Sequence, residues 1–513
     1  MLDKQPRKPL TRALALVAAG ALSLSLVAES AAQRGFAGGG FGGRGMSSPG
    51  NIGGGRMPGG DGPRYPGGGG MGPIRPGGVI MLPPGGYGPG PGGPGTVVVV
   101  DDDNDAPPQR RRKTRQTKKH EQKQQKTQKQ IAQRSGFNPP PPGEHRFVPN
   151  EVLLNIAGSR SSPALNALAR RHRLTQLESR DFTLPPRRLA RLRINDGRPV
   201  AAVIRSLQQE ASILAAQPNY YYSLEQGASV ATAADPPQYV LSKMRLPEAH
   251  GIATGKNVKI AVIDSGIDGQ HPDLQGVIAA TYDALPSSDQ TPHPHGTGMA
   301  GAIGSHQRLL GIAPGARILG VRAFGVSDNG AQGTSMNIVK GLEWAVQQGA
   351  QVINMSFAGP RDPILEQAIK SLKDRGIIMI AATGNAGPKS PPLFPGADVN
   401  VIGVSATDVD DKTYKNAVRG KQVAIAAPGV DILVPAPAGG YQLTTGTSVA
   451  AAHISGVVAL MLERNPRLTP ADVRAILSAT AKKLPQGRNE TGAGLVDPVQ
   501  ALSKSGPKQA QAR

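Results

Sequence analysis

From about residue 237 onward the chain alternates between two hydrophobic periods. The runs "VKIAVID" (258–264), "ARILGVRAF" (316–324), "AQVINMSF" (350–357), "IIMIAATG" (377–384), "VNVIGVSAT" (399–407) and "VAIAAPG" (423–429) are short, apolar and β-branched, and they predict strands. Between them, "NIVKGLEWAVQQG" (337–349) and "PILEQAIKSLKDRG" (363–376) repeat their apolar residues at the spacing of amphipathic helices. Strands that are apolar along their whole length and alternate with helices predict a parallel sheet covered on both faces, an α/β fold. "GTSVAAAHISGVVALML" (446–462) is apolar on nearly every side and predicts a buried helix.

The stretch 147–225 has a different pattern. "EVLLNIA", "RLARLRI" and "NYYYSLE" read as strands, while "SSPALNALARRHRL" and "AAVIRSLQQEASILAAQ" read as helices, the first with Ser162 as cap and Pro163 at its first helical position. Helices interleaved with strands over so short a span predict a small α+β domain. It holds no set of side chains able to do chemistry. Upstream the pattern disappears. Residues 34–95 contain 28 Gly and 11 Pro, leaving too little apolar surface to offset ordering entropy, and without a strict Gly-X-Y period they are not collagen-like. Residues 33–143 as a whole are expected to be disordered, Gly/Pro-rich and then basic. Asp101, Asp103 and Asp105 have the opening spacing of a calcium loop, but Ala106 and Arg112 stand where that loop needs Gly and Glu, so the motif fails.

Composition adds two constraints. The chain has no cysteine, which excludes disulfides and thiolate metal sites. At its start, Lys4, Arg7, Lys8 and Arg12 precede the apolar run "ALALVAAGALSLSLV" and the small-residue stretch "AESAAQ". That is the order of an export signal, here residues 1–32, and it predicts a secreted or periplasmic protein; cleavage or retention of the segment as an anchor stays open. The net charge of +22 suggests nucleic acid until it is located. Residues 109–134 hold eleven Lys or Arg against one acid, Glu121, whereas residues 237–505 hold 24 basic and 20 acidic side chains. The charge therefore sits largely in a linker, which leaves an anionic surface open as a partner. No aromatic residues interleave with it, so no specific nucleic acid is expected.

In parallel α/β sheets the working residues lie at the carboxyl ends of strands. Asp264 ends the first strand in "AVIDSGIDGQHPDL"; His295 opens a small-residue helix in "HPHGTGMAGAIG"; Asn385 follows "IIMIAATG"; Ser448 opens the buried helix. His293 and His295 flank Pro294 with no third ligand at helical spacing, so no metal is assigned. The four remaining groups suit one chemistry. A serine hydroxyl needs a base, an imidazole with pKa of about 6.5 serves at neutral pH, and a buried acid fixes the imidazole tautomer. The Asn385 amide and the Ser448 N–H at a helix start would stabilise an oxyanion. Ser448 is also expected to cap its helix, as a side effect.

These segments resemble the subtilisin-like serine proteases, or subtilases, from about Tyr239 to Leu502. "VIDSGID", "HGTGMAG", "GNAG" and "GTSVAAAHISG" match that family's acid, base, oxyanion and nucleophile motifs, in its order Asp264, His295, Ser448. The resemblance implies a subtilisin-like peptidase domain at 237–505 acting on polypeptide substrates as an endopeptidase, with no cofactor required for chemistry. Structural calcium is a family feature that no residues here map. It implies that Ser356, Phe357, Ala358 and Gly359 of "NMSFAGP" bind substrate backbone and line the first specificity pocket. It also implies that 147–225 is a ferredoxin-like prosegment that chaperones folding and then inhibits, with maturation between Ser223 and Asp235. Departures are Gly298, where a second His is frequent, Ala452, where Pro is usual, and Ala358, where Gly is common and a methyl narrows the pocket. An inactive peptide-binding scaffold, or a surface-binding protein acting through its basic N-terminal half, is the alternative.

Overall fold

The computed structural model describes residues 136–157, 162–224, 227–228, 238–285, 291–327 and 330–506. The expected signal segment, the Gly/Pro-rich region and the basic run 109–134 with its anionic partner lie outside the described residues, as does most of the stretch from Gln226 to Pro237. The described chain begins inside the stretch expected to lack a fold. Phe137 bridges to Ala216 and is buried in the core of the α+β unit. It is the first aromatic residue after Tyr87, and so the first in this region with enough apolar surface to dock.

The α+β unit runs β1 (Phe147–Ile156), α1 (Ser162–Arg171), β2 (Leu174–Thr183), β3 (Pro186–Ile194), α2 (Val200–Leu207) and β4 (Ile213–Leu224). Its strands pair antiparallel in the order β2-β3-β1-β4, which is the ferredoxin-like arrangement. The sequence pattern misses β2, "LTQLESRDFT", because this edge strand buries only Leu174 and Phe182 and its charged residues Glu178, Arg180 and Asp181 break any apolar alternation. The second helix is shorter than its periodicity predicts. Ile213, Ala215 and Ala216 pair with β1 instead of extending the helix, so tertiary pairing overrides local propensity.

The second unit begins after β5 (Gly227–Ala228) with the short helices α3 (Tyr239–Lys243) and α4 (Leu246–His250). Its parallel sheet consists of β6 (Lys259–Asp264), β7 (Ile278–Asp283), β8 (Arg317–Arg322), β11 (Val352–Met355), β13 (Ile378–Ala382), β14 (Ile402–Thr407) and β15 (Val423–Pro428), in the order β15-β14-β13-β11-β6-β8-β7. The hairpin β9 (Phe324–Ser327)–β10 (Gly330–Thr334), the two-residue β12 (Phe357–Ala358) and the hairpin β16 (Ile432–Ala436)–β17 (Gly440–Thr445) lie outside it. Successive strand residues face opposite sides. Ile260, Val262, Ile318 and Val404 pack toward α5 (Pro294–Gly304) and α8 (Thr447–Arg464). Ala261, Ile263, Leu319 and Val321 pack toward α6 (Ser335–Gln347) and α7 (Pro363–Asp374). Helix α8 is buried from Thr447 to Leu462, as its unbroken apolar character predicts. At about 1.5–3 kcal/mol for each fully buried large aliphatic side chain, this helix is a main source of stability for the domain.

The two units share a core. Leu153, Phe182 and Leu189 of the first pack with Met336, Val339 and Ile364 of the second. Polar groups match as well. Gln217 donates to Asp362 (2.7 Å) and accepts from the Ile364 N–H (2.9 Å) at the start of α7. The buried Glu343 carboxylate accepts from the Thr183 N–H and hydroxyl, the latter at 2.7 Å. The contact seats β4 across the second unit. Tyr221–Ser223 pair with β10 and Ser223–Leu224 pair with β12.

Candidate active site

Strand β6 ends at Asp264, which is fully buried, and the chain turns at Ser265 and Gly266. A carboxylate in this position is costly unless hydrogen-bonded. Asp264 Oδ1 accepts from the Ser265 N–H (2.7 Å), the Ser265 hydroxyl (3.1 Å) and His295 Nδ1 (2.7 Å). His295 lies in the first turn of α5. The helix is capped by His293, whose Nδ1 accepts from the His295 N–H at 3.2 Å and whose own N–H donates to the Gly266 carbonyl at 2.9 Å. Burial and the neighbouring His295 lower the His293 pKa, against the opposing pull of Asp264, which favours the neutral ring that can accept. Each histidine thus commits Nδ1 to a hydrogen bond. His295 Nε2 is buried and has no hydrogen-bond partner among the described residues.

On the other side of the cleft, α8 begins at Thr447 after Gly446, whose φ of +154° favours glycine. Ser448 does not cap this helix, contrary to the sequence expectation. The Thr447 N–H is satisfied from outside, by Asn385 Oδ1 at 3.0 Å, and the Thr447 hydroxyl donates to the same oxygen at 3.0 Å. The side-chain oxygen of Asn385 is thus fixed on Thr447, which leaves its amide nitrogen as the donor end of the group. The Ser448 hydroxyl donates to the Ser356 carbonyl at 3.1 Å. The structure therefore joins Asp264 to His295 directly, anchors Asn385 beside the start of the Ser448 helix, and holds the Ser448 hydroxyl on Ser356.

Ser356, Phe357, Ala358 and Gly359 lie in and around β12, and β4 pairs along it. Leu224 is opposite Phe357 and Ser223 opposite Ala358. The buried Tyr222 ring meets Phe357 edge-on at 5.6 Å and 80°. A side chain at Gly359 would come within 2.4 Å of that ring, which accounts for glycine there. Ala358 is buried against Leu393 and Val418, so its methyl is absorbed by packing. Beyond the start of α8, Gly227 and Ala228 pair with Thr445 and Thr444 of β17. At Gly298 a Cβ would meet Val434 at 2.9 Å, because the β16–β17 hairpin packs directly on α5 and leaves no space for a second histidine.

Sequence reasoning missed Ser265, Thr447, Asn354 and Ser455. Ser265 and Thr447 were visible as hydroxyls beside Asp264 and Ser448, and Asn354 as the polar residue inside an apolar strand; what each one bonds was not. Among the described residues there is no group of three or more His, Asp or Glu side chains able to hold a metal ion.

Known proteins resemble this chain in sequence and in fold. The family model for the Subtilase family matches residues 255–495. M-protease of Shouchella clausii (strain KSM-K16) is 35% identical over 304 residues, covering 58% of this chain and 78% of that protein. Subtilisin BL of Lederbergia lenta is 36% identical over 262 residues, covering 50% of this chain and 95% of that protein. Thermitase of Thermoactinomyces vulgaris is 35% identical over 255 residues, covering 48% and 89%. The crystal structure of fervidolysin from Fervidobacterium pennivorans, described as a keratinolytic enzyme related to subtilisin, superposes with a TM-score of 0.60 over 72% of this chain and 63% of that one. At 24% identity this last likeness bears on the fold alone.

Proposed function

The chain belongs to the subtilase family of serine endopeptidases, and from that premise we propose that Asp264, His295 and Ser448 are its catalytic triad and Asn385 its oxyanion donor. The observation that carries the reading is the buried 2.7 Å Asp264–His295 pair, whose Nε2 has no hydrogen-bond partner among the described residues and whose helix α5 packs against the Ser448 helix α8. On this reading the Ser448 hydroxyl leaves the Ser356 carbonyl and donates to that nitrogen. Ser448 Oγ attacks the scissile carbonyl carbon and its proton passes to His295 Nε2. Asp264 holds Nδ1–H and stabilises the imidazolium. The tetrahedral oxyanion accepts from Asn385 Nδ2 and the Ser448 N–H. Collapse breaks the C–N bond, and the departing amine takes the proton from His295. Water then repeats the sequence on the acyl-enzyme, its proton passing to His295 and then to Ser448 Oγ. Members of the family need no cofactor for these steps.

The α+β unit is, on this reading, a prosegment. Its support is that β4 pairs with both β10 and β12, where this reading seats a peptide substrate, and that Gly227 and Ala228 pair with β17. Maturation is accordingly assigned to the stretch between Leu224 and Gly227, within the window expected from sequence. Export rests on the basic, apolar and small-residue order of residues 1–32. Among the described residues no helix is long and apolar enough to cross a membrane. The test is the intact mass of the active protein together with its hydrolysis of an unstructured polypeptide. A chain starting between residues 225 and 227 is expected. Full activity in a protein that retains residues 136–224 contradicts the prosegment assignment, and absence of hydrolysis by a folded chain that has been cleaved after residue 224 contradicts the triad assignment.

A further inference from the structure

Beneath Ser448 runs a line of buried polar side chains that the reaction steps do not use. Ser455, two turns further along α8, has its hydroxyl 3.0 Å from Asn354 Oδ1 and 3.0 Å from the Ala451 carbonyl. Asn354, in β11, donates Nδ2 to Ser356 Oγ at 2.8 Å. Ser356 Oγ donates to the Ser448 carbonyl at 2.9 Å, and the Ser448 hydroxyl donates back to the Ser356 carbonyl at 3.1 Å. Asn354, Ser356 and Ser455 are each 0% exposed.

Stability alone gives little reason for this arrangement. Fully paired buried polar groups contribute modestly, and apolar groups of the same shape in their place are often neutral or better. The neighbours of Asn354 in β11 are Ile353 and Met355, both fully buried, so an apolar residue is what this strand otherwise selects. What the line supplies is position. Ser356 directly precedes β12, the strand that pairs with the chain lying in the cleft, and it clasps the nucleophile residue in both directions. We infer that Asn354, Ser356 and Ser455 are positioning residues that hold Ser448 in register with the substrate-pairing strand through a chain of hydrogen bonds. Any slide of α8 against β11–β12 would break that chain, and a displacement of about 1 Å at a reacting atom is enough to cost about 10²-fold in rate.

This inference rests on Ser448 being the nucleophile. The test uses the full chain carrying Ser356→Ala, Ser455→Ala, or both, since these small truncations disturb packing least. Active sites are titrated with a fluorophosphonate; kcat and KM are then measured per titrated site on a peptide, alongside Tm. Each single variant is expected to lower kcat about tenfold with KM within about twofold, the cost of leaving one buried hydrogen-bonding group unpaired. The double variant should fall no further than the worse single, because groups acting as one unit are not additive. Unchanged kcat per titrated site with a lowered Tm would make the line purely structural and overturn the inference. So would losses that multiply in the double variant, or a raised KM with kcat intact. A wild-type protein that neither labels nor turns over would instead overturn the nucleophile assignment.

Discussion

Asp264 and His295 are 31 residues apart and meet through one hydrogen bond between two side chains, each at the end of an element that delivers it straight into the cleft. The nucleophile half is assembled differently. Ser448 touches Ser356, 92 residues away, through a backbone carbonyl, and Asn385 reaches Thr447, 62 residues away, through both the backbone N–H and the hydroxyl of Thr447. The acid–base half is thus a direct pair, while the nucleophile half is a set of indirect supports around a helix start. A direct pair fails as a unit when either member is lost. Distributed supports should fail by degrees.

Substitutions can break this contrast or sharpen it, with rate magnitudes carried over from serine proteases, subtilisins among them. Ser448→Ala should reduce kcat by about 10⁶ and leave an unprocessed precursor with an unchanged Tm. Asp264→Asn should cost on the order of 10⁴ in kcat, because His295 loses the acceptor that fixes its tautomer. If it costs tenfold or less, the pair is not the unit the geometry suggests. Asn385→Ala should lower kcat by roughly 10²–10³ with KM nearly constant, since its donor acts on charge present only in the transition state. A raised KM with kcat intact would make it a substrate contact. Thr447→Val removes one of the two donors holding Asn385 and should cost about tenfold in kcat, the worth of one hydrogen bond. A loss matching that of Asn385→Ala would show the support to be all-or-none.

The smallest effect concerns stability and also lies in the nucleophile half. His453 of α8 is buried and donates Nδ1–H to the Pro428 carbonyl at 2.9 Å; burial lowers its pKa to about 4, the hydrogen bond opposing the shift. The unfolded imidazole takes up a proton near its ordinary pKa of about 6.5 and the folded one does not until about 4. Stability is therefore unaffected by this group above about pH 6.5 and falls as pH drops toward 4, by roughly 3 kcal/mol in all. His453→Leu should flatten urea-unfolding stability across that window. An equally steep decline in the variant would assign the acid lability to other groups.

The contrast also separates what could be read in the sequence from what could not. Asp264, His295, Asn385 and Ser448 could be proposed from the sequence because four such polar residues stand together at the ends of apolar elements, although any one of them alone reads as a cap. The parallel sheet was legible for the same reason, except β7, an edge strand with alternate residues in solvent. The supports were not legible. Asn385 Oδ1 replaces a cap that Ser448 was expected to provide, and only the approach of β13's end to Gly446–Thr447 makes that possible. Ser455 looks like a small helix residue until α8 is laid on β11 and its hydroxyl meets Asn354. Such contacts join residues far apart in the chain, and local pattern carries no record of them. The threading of β4 through the cleft is a third case, since nothing in "NYYYSLE" distinguishes a strand within one sheet from a strand that joins two units.

The central claim is that Ser448 is the group activated by His295. Its most direct test is to label the purified protein with a fluorophosphonate and locate the adduct by peptide mass. A single adduct on Ser448, abolished in His295→Ala and absent from Ser448→Ala, is the predicted result. Labelling at another serine, or undiminished labelling of Ser448 without His295, would contradict the account.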